Sequence, residues 1–231
     1  MHKQLIDQLM ADRAARRPAA VLTWLANGEQ RIVHPDEAAK MPVIAEALAQ
    51  AFRLDRSQTI ESPEGEVFVH VHNPPLRMVV VGAVHTAQFL VPMAELAGYD
   101  VTIVDPRTAF ASEERFPGVK IIAEWPDQVL PEIGLDARTA FLALTHDPKI
   151  DDPALMIALS SPAFYIGALG SKRTHGKRCD RLLEKGVVEE AIARIHAPIG
   201  LDIGAVGPVE IAMSIMAEVT AVLRGRNGAG P

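Results

Sequence analysis

One cysteine, Cys179, is all the thiol that this chain of 231 residues has. A single cysteine closes no internal disulfide and builds no Cys-based zinc site, which excludes a secreted disulfide scaffold and a zinc ribbon. Long apolar runs are also missing. Stretches such as Met78–Val81 fall far short of the roughly 18 residues that a membrane-spanning helix needs. The first twenty residues mix Asp and Arg and hold no apolar core of signal-peptide length, so no secretory leader is expected and the chain reads as cytoplasmic. Positive charge is in deficit: 23 Lys and Arg stand against 29 Asp and Glu, a formal net charge of −6. That balance argues against non-specific nucleic-acid binding, which needs a basic surface, while leaving room for a local basic cluster that holds a small anion. Internal repeats and low-complexity tracts are absent.

What is present is the composition of an ordinary soluble protein, 48% hydrophobic and 23% charged, long enough for one domain with a core and a small appendage. Residues 1–75 hold a helical start at Leu5–Ala15, an apolar run at Ala19–Leu25, a helical stretch at Asp36–Phe52 and an alternating segment whose Val67, Val69 and Val71 share one strand face. This zone predicts a small α+β domain. Asn73-Pro74-Pro75 breaks the pattern and marks a boundary. From residue 76 to 226, short apolar runs alternate with helical stretches: Met78–Val81, Ala87–Ala97, Val101–Val104, Thr139–Leu144, Pro153–Leu159 and Phe164–Ile166. Strands that are apolar throughout are buried on both faces, which predicts a doubly wound, mostly parallel α/β sheet. Right-handed crossovers then gather the C-terminal strand ends along one edge, where a site is expected. A last helix is announced by Gly207, Pro208 at its first position and Glu210 in its first turn, with Ile211, Ile215, Val219 and Val222 facing the core. Residues 227–231 read as a flexible tail.

Five segments fall on the expected edge. Gly82-Ala83-Val84-His85-Thr86 follows the first strand of the larger domain, and Asp105 ends the second. In a dinucleotide fold the glycines admit a pyrophosphate to the helix N-terminus and the acid binds a ribose hydroxyl. Here Val84 stands at the second glycine position, where a β-branched side chain opposes close phosphate approach, and the alternative is a tight structural turn. Pro92 inside the following helix would crowd the carbonyl of Gln88. Arg107, two residues beyond Asp105, offers a planar fork suited to phosphate, or is a surface residue on a capped turn. Thr145-His146-Asp147 places a histidine beside a carboxylate, which suits a general base, an anion donor or a metal ligand, whereas Asp147 and Asp152 before prolines also read as helix caps. Gly167-Ala168-Leu169-Gly170-Ser171 leads into Lys172 and Arg173, and five cations, Lys172, Arg173, Lys177, Arg178 and Arg181, fall within ten residues. Glycines, a capping hydroxyl and a cationic helix start make an anion site; the plain alternative is a solvated helix face. Cys179 reads either as a packed small residue or as a thiol that its cationic neighbours favour as thiolate. The loop 194–205 crosses the same edge, with Asp202 able to take a hydrogen bond.

Taken together, Gly82–His85, Val104–Arg107, Glu114–Pro117, Thr145–Asp147, Tyr165–Ser171, Pro198–Ala205 and Pro208–Ala212 resemble, in order, the segments of the xanthine dehydrogenase accessory factor family (XdhC/CoxI type) over about two-thirds of the chain. The resemblance implies a Rossmann-like C-terminal domain in a protein that binds the molybdenum cofactor (molybdopterin) and acts as a chaperone, with no catalytic residues and no resident metal ligands. It further implies delivery to an apo-molybdenum hydroxylase of the xanthine dehydrogenase type, a cysteine desulfurase as a further partner, and a homodimer. The cofactor-binding residues carried over are Gly82, His85, Thr86, Asp105, Arg107, Thr145, His146, Asp147, Gly167, Gly170, Ser171, Lys172 and Arg173. His85, Arg107, Lys172 and Arg173 would act as donors, and Asp105 and Asp147 as acceptors. Two departures stand out. The G-S-x-P-R segment of longer members is missing, and Ser62-Pro63-Glu64-Gly65 lies where their Cys-Gly-Gly falls, so the N-terminal zone reads as a reduced module. The second is Val84, in place of the second loop glycine. The rival readings are an NAD(P)-dependent oxidoreductase with Asp105 on the ribose and His146 as acid/base, and a non-catalytic nucleotide sensor.

Overall fold

The structure is a computed structural model and describes residues 3–225, so the tail expected at 227–231 lies outside the described residues. The chain divides into two compact units that meet in sequence between Pro74 and Pro75. No helix among the described residues is long and apolar enough to cross a membrane.

The first unit runs α1 (Lys3–Ala14), β1 (Ala19–Trp24), β2 (Gln30–Val33), α2 (Pro35–Ala38), α3 (Ala45–Leu54), β3 (Gln58–Ser62) and β4 (Gly65–His72). Its four strands form an antiparallel sheet in the order β2-β1-β4-β3. Val67 and Val69 are fully buried between exposed neighbours, as alternation requires, and meet Leu22, Val33 and Leu48 in a separate core cluster. The single helix expected over Asp36–Phe52 is instead two, α2 and α3. Pro42 lies between them, and proline disfavours helical geometry at the residue before it.

The second unit continues with β5 (Leu76–Val81), α4 (His85–Leu96), β6 (Tyr99–Val104), β7 (Lys120–Ile122), α5 (Pro126–Ile133), β8 (Thr139–Ala143), α6 (Pro148–Leu159), β9 (Tyr165–Ala168), α7 (Lys172–Glu184), α8 (Glu189–Ile192), β10 (Ile195–His196) and α9 (Pro208–Leu223). The sheet order is β10-β9-β8-β5-β6-β7 and every pairing is parallel. Central β5 pairs with β6 from Leu76↔Tyr99 to Val81↔Val104, and with β8 from Arg77↔Thr139 to Val81↔Ala143. Met78–Val81 and Ala140–Ala143 are essentially inaccessible, because one core cluster covers each face of the sheet. This is the doubly wound Rossmann arrangement, with the order reversing between β5 and β8. The run Pro153–Leu159 is the second half of α6, and the strand expected at Phe164–Ile166 is displaced to Tyr165–Ala168. Several short or proline-broken elements lay below the sequence signal, four-residue α8 among them. β7 and β10 have three and two residues, too few for a periodic pattern, and α5 carries two prolines, Pro126 and Pro131, within its span. In α9, Ile215 and Val219 are fully buried, Ile211 and Val222 pack against the same cluster, and Glu210 accepts the Val206 and Gly207 N–H groups at the helix start.

Candidate functional site

At the β5–α4 turn the backbone is already engaged. Gly82 has φ +117°, and a Cβ there would stand 2.8 Å from Thr145 Cγ2 and 3.1 Å from the Thr145 nitrogen. Glycine is therefore needed where this turn passes the end of β8, before any ligand is considered. The Ala83 N–H donates to Asp105 Oδ2 at 2.8 Å, and the Ala83 carbonyl accepts from Arg115 Nη1 at 2.7 Å. Val84 does not stand free: it is the residue preceding α4 and packs partly against the core. His85 is exposed and lies against Phe89, with ring centroids 5.2 Å apart, and Thr86 is buried.

Asp105 is fully buried and has no oxygen to spare for a ribose. Oδ1 accepts Arg107 Nε at 2.9 Å and the Arg107 N–H at 3.0 Å, while Oδ2 accepts Arg107 Nη2 at 2.7 Å and the Ala83 N–H. Burial pushes its pKa up, but the Arg107 and Ala83 hydrogen bonds outweigh that and hold the carboxyl below the ordinary range. Arg107 is committed in turn to Asp105 and stacks its guanidinium on Phe110 at 4.7 Å. Asp105 and Arg107 thus shape the turn. The ribose-acceptor role expected of Asp105 does not fit this pairing.

On the other side of the switch point, Asp151 of α6 organises the Thr145–Asp147 loop. Its Oδ1 accepts the Thr145 hydroxyl at 2.6 Å and its Oδ2 the His146 N–H at 3.0 Å. His146 is held in the left-handed region at φ +63° and is left exposed, while Thr145 is buried. Asp147 caps α6 by accepting the Lys149 N–H at 2.9 Å. Gly167 serves packing, since a Cβ there would lie 2.5 Å from Ile199 Cδ1. Ser171 caps α7 by accepting the Thr174 N–H at 3.1 Å, which leaves Lys172 and Arg173 exposed in the first turn.

Two cavities open along this edge, and His146 lines both. The larger, about 610 Å³, is bounded by the Leu169–Lys172 turn, by the loop Pro198–Ile203 with Ala205, and by Ile211 and Ser214 of α9. The smaller, about 320 Å³, lies between α6 and α7 and takes in Asp151, Asp152, Arg173, Lys177, Arg178 and Arg181. Of the thirteen residues carried over from the resemblance, the fold brings His146, Gly170, Ser171, Lys172 and Arg173 to these cavities. Gly82, His85, Thr86, Asp105, Arg107, Thr145, Asp147 and Gly167 line neither.

Sequence reasoning missed Glu218. This carboxylate accepts the Tyr165 hydroxyl at 2.5 Å, the Gly200 N–H at 2.8 Å and pairs with His196 Nδ1 at 3.2 Å, tying α9 to β9 and to the cavity loop. Its signal was a lone acid beside the core-facing Ile215 and Val219. Cys179 is half-buried with its sulfur 3.4 Å from His175 Nε2, and burial pushes its thiol pKa up despite the neighbouring Arg178, contrary to the thiolate expectation. No group of three or more His, Cys, Asp or Glu suited to a metal ion occurs among the described residues.

Residues 78–219 match the XdhC Rossmann domain. The chain is 35% identical over 156 residues to uncharacterized protein YqeB of Escherichia coli K12, a match that spans 68% of this chain and 29% of that one. It is 32% identical over 157 residues to a probable xanthine dehydrogenase subunit of Bacillus subtilis (66% and 44%), and 33% identical over 149 residues to the molybdenum cofactor insertion chaperone PaoD of Escherichia coli K12 (64% and 41%). The match thus covers less than half the length of each of these relatives. A crystal structure described as a xanthine dehydrogenase from Bacillus halodurans aligns over 99% of this chain and 66% of its own, with a TM-score of 0.67 and 24% identity, and shares the fold.

Proposed function

The chain belongs to the XdhC Rossmann-domain family, and from that premise we propose that it is an accessory protein that holds the molybdenum cofactor as cargo and delivers it to an apo-molybdenum hydroxylase of the xanthine dehydrogenase type. One observation carries the reading. Three segments remote in sequence, Thr145–Asp147, Tyr165–Ser171 and Pro198–Ala205, contribute walls to a single cavity of about 610 Å³ at the C-terminal sheet edge. That volume suits a small organic ligand.

The donor set fits such a cargo. Leu169, Ile199, Ile203 and Ile211 supply apolar wall for a flat ring system, while Lys172, His146 and the loop backbone supply polar contacts at the mouth. Arg173, next to Lys172 on the same helix start, lines the neighbouring cleft between α6 and α7 and would add positive potential near the terminal phosphate. The bound cofactor supplies the molybdenum centre that the client enzyme lacks; the chain's own residues only bind, shield and release it. The dinucleotide reading has less support, because Ala83 N–H and both oxygens of Asp105 are engaged within the chain. Cys179 is half-buried beside His175 and burial raises its thiol pKa, so any cofactor sulfur is better supplied by a partner protein than by this chain.

Purification from a cofactor-making host followed by oxidation should release a fluorescent pterin, and Lys172→Ala with Arg173→Ala should lower the pterin retained by about tenfold. Protein free of pterin from a competent host, or unchanged content in that double variant, would overturn the assignment.

A further inference from the structure

We infer that the cleft between α6 and α7 is an oxyanion site for a phosphate or pyrophosphate group, with the guanidinium of Arg178 at its floor. The inference goes beyond the carrier reading and stands whether or not the larger cavity holds a pterin.

Arg178 is 2% exposed, yet only one of its three guanidinium nitrogens is satisfied: Nη2 donates to the Leu169 carbonyl at 2.9 Å, and Nε and Nη1 have no acceptor. An arginine stays charged wherever it is placed, and buried donors of a charged group are rarely left unmet unless something outside the chain meets them. The nearest carboxylate does not meet them. Both oxygens of Asp151 are turned to Thr145 and His146. Asp152 is taken by Arg181, whose Nε and Nη2 reach its two oxygens at 2.6 and 3.0 Å.

The walls add charge of the same sign. Arg173 and Lys177 lie one turn apart on α7, and neither makes an ion pair among the described residues. Four cations, Arg173, Lys177, Arg178 and Arg181, face two carboxylates, Asp151 and Asp152, an excess of two positive charges in a chain that is otherwise acidic. Arg178 lines the cleft while almost wholly buried, so its charge acts there with little screening. An excess of two suits a phosphate dianion better than a single carboxylate, and a cleft of about 320 Å³ has room for one or two phosphoryl groups.

The test titrates inorganic phosphate, then pyrophosphate, into the full chain at constant ionic strength set with chloride, read by calorimetry and by phosphorus NMR. One saturable site is expected. Arg173→Ala with Lys177→Ala should weaken it about tenfold or more, and Arg178→Met should abolish it. Lys149→Ala and Lys185→Ala, exposed cations outside the cleft, should leave it unchanged. Because losing a buried arginine can itself unfold the chain, the double rim variant carries the test independently. Absence of saturable binding in the wild type, equal affinity in the rim variant, or binding of an acidic peptide in place of phosphate would overturn the inference. Phosphate binding by a chain that retains no pterin would uphold this site and overturn the carrier reading; pterin retention without phosphate binding would do the reverse.

Discussion

Asp105 illustrates how far a single position can be read from its neighbours in sequence. An acid at the end of the second strand of a dinucleotide fold points to a ribose, yet Arg107, two residues on, turns back and occupies it from the side. Both residues were visible in the sequence; that they pair with each other instead of with a ligand depends on the turn between them and on Ala83 arriving from another strand. The pairing makes a stability prediction. Asp105→Asn should cost about 1–3 kcal/mol at pH 7, since a buried charge-assisted bond is replaced and the Arg107 fork loses an acceptor. The native pKa is depressed, so the carboxylate's contribution is fully present above the ordinary Asp value and is lost as the pH falls through the native one. The difference between wild type and variant in urea unfolding should therefore shrink under acid. A constant difference across that range would show that the charge contributes nothing. His146 makes the converse point. Its sequence neighbours marked it as chemically interesting, but only Asp151, five residues away, explains why it sits in a left-handed conformation with its ring exposed between two cavities.

At the scale of elements, long periodic segments were legible and short ones were not. Strand β5 announces itself as a continuous apolar run buried on both faces, and helices α4 and α9 by a buried face whose spacing repeats several times. β10 has two residues, and its existence depends on pairing with β9 at Ile195↔Ile166. The loop that follows is held by α9 through Glu218, which accepts from Tyr165, Gly200 and His196 together. Burial raises the Glu218 pKa, but the His196, Tyr165 and Gly200 bonds outweigh it, so the group is anionic where it acts. Glu218→Gln supplies one acceptor oxygen where the fold uses two. It should destabilise the chain by about 1–3 kcal/mol and speed hydrogen exchange at the Gly200 amide, with pterin retention falling through loss of cavity shape. Exchange at Gly200 as slow as in the wild type would remove this positioning role. Ser171 is a simpler case. It caps α7 and thereby presents Lys172 and Arg173, and Ser171→Ala should cost about 1 kcal/mol, measurable by thermal unfolding with calorimetric enthalpy.

For the whole molecule, the apolar clusters sort by unit: those of the second unit contain no residue before Leu76, and those of the first contain none after Val71. A chain beginning at Pro75 should accordingly fold alone and unfold cooperatively in denaturant, keeping its helical circular dichroism; a non-cooperative transition would show that the sheet requires residues before it. Composition and hydrophobic period by themselves determined the α/β class and the parallel sheet. Those properties follow from local steric preference and from which residues avoid water, and both are written along the chain. Which candidate residues meet at a cavity was decided only by tertiary structure. Hydrogen bonds from Ala83 to Asp105, from His146 to Asp151 and from Gly200 to Glu218 join positions 22, 5 and 18 residues apart, and each consumes or frees a polar group according to what the folded chain brings beside it. Sequence names the donors and acceptors; burial and distance decide which of them remain for a ligand.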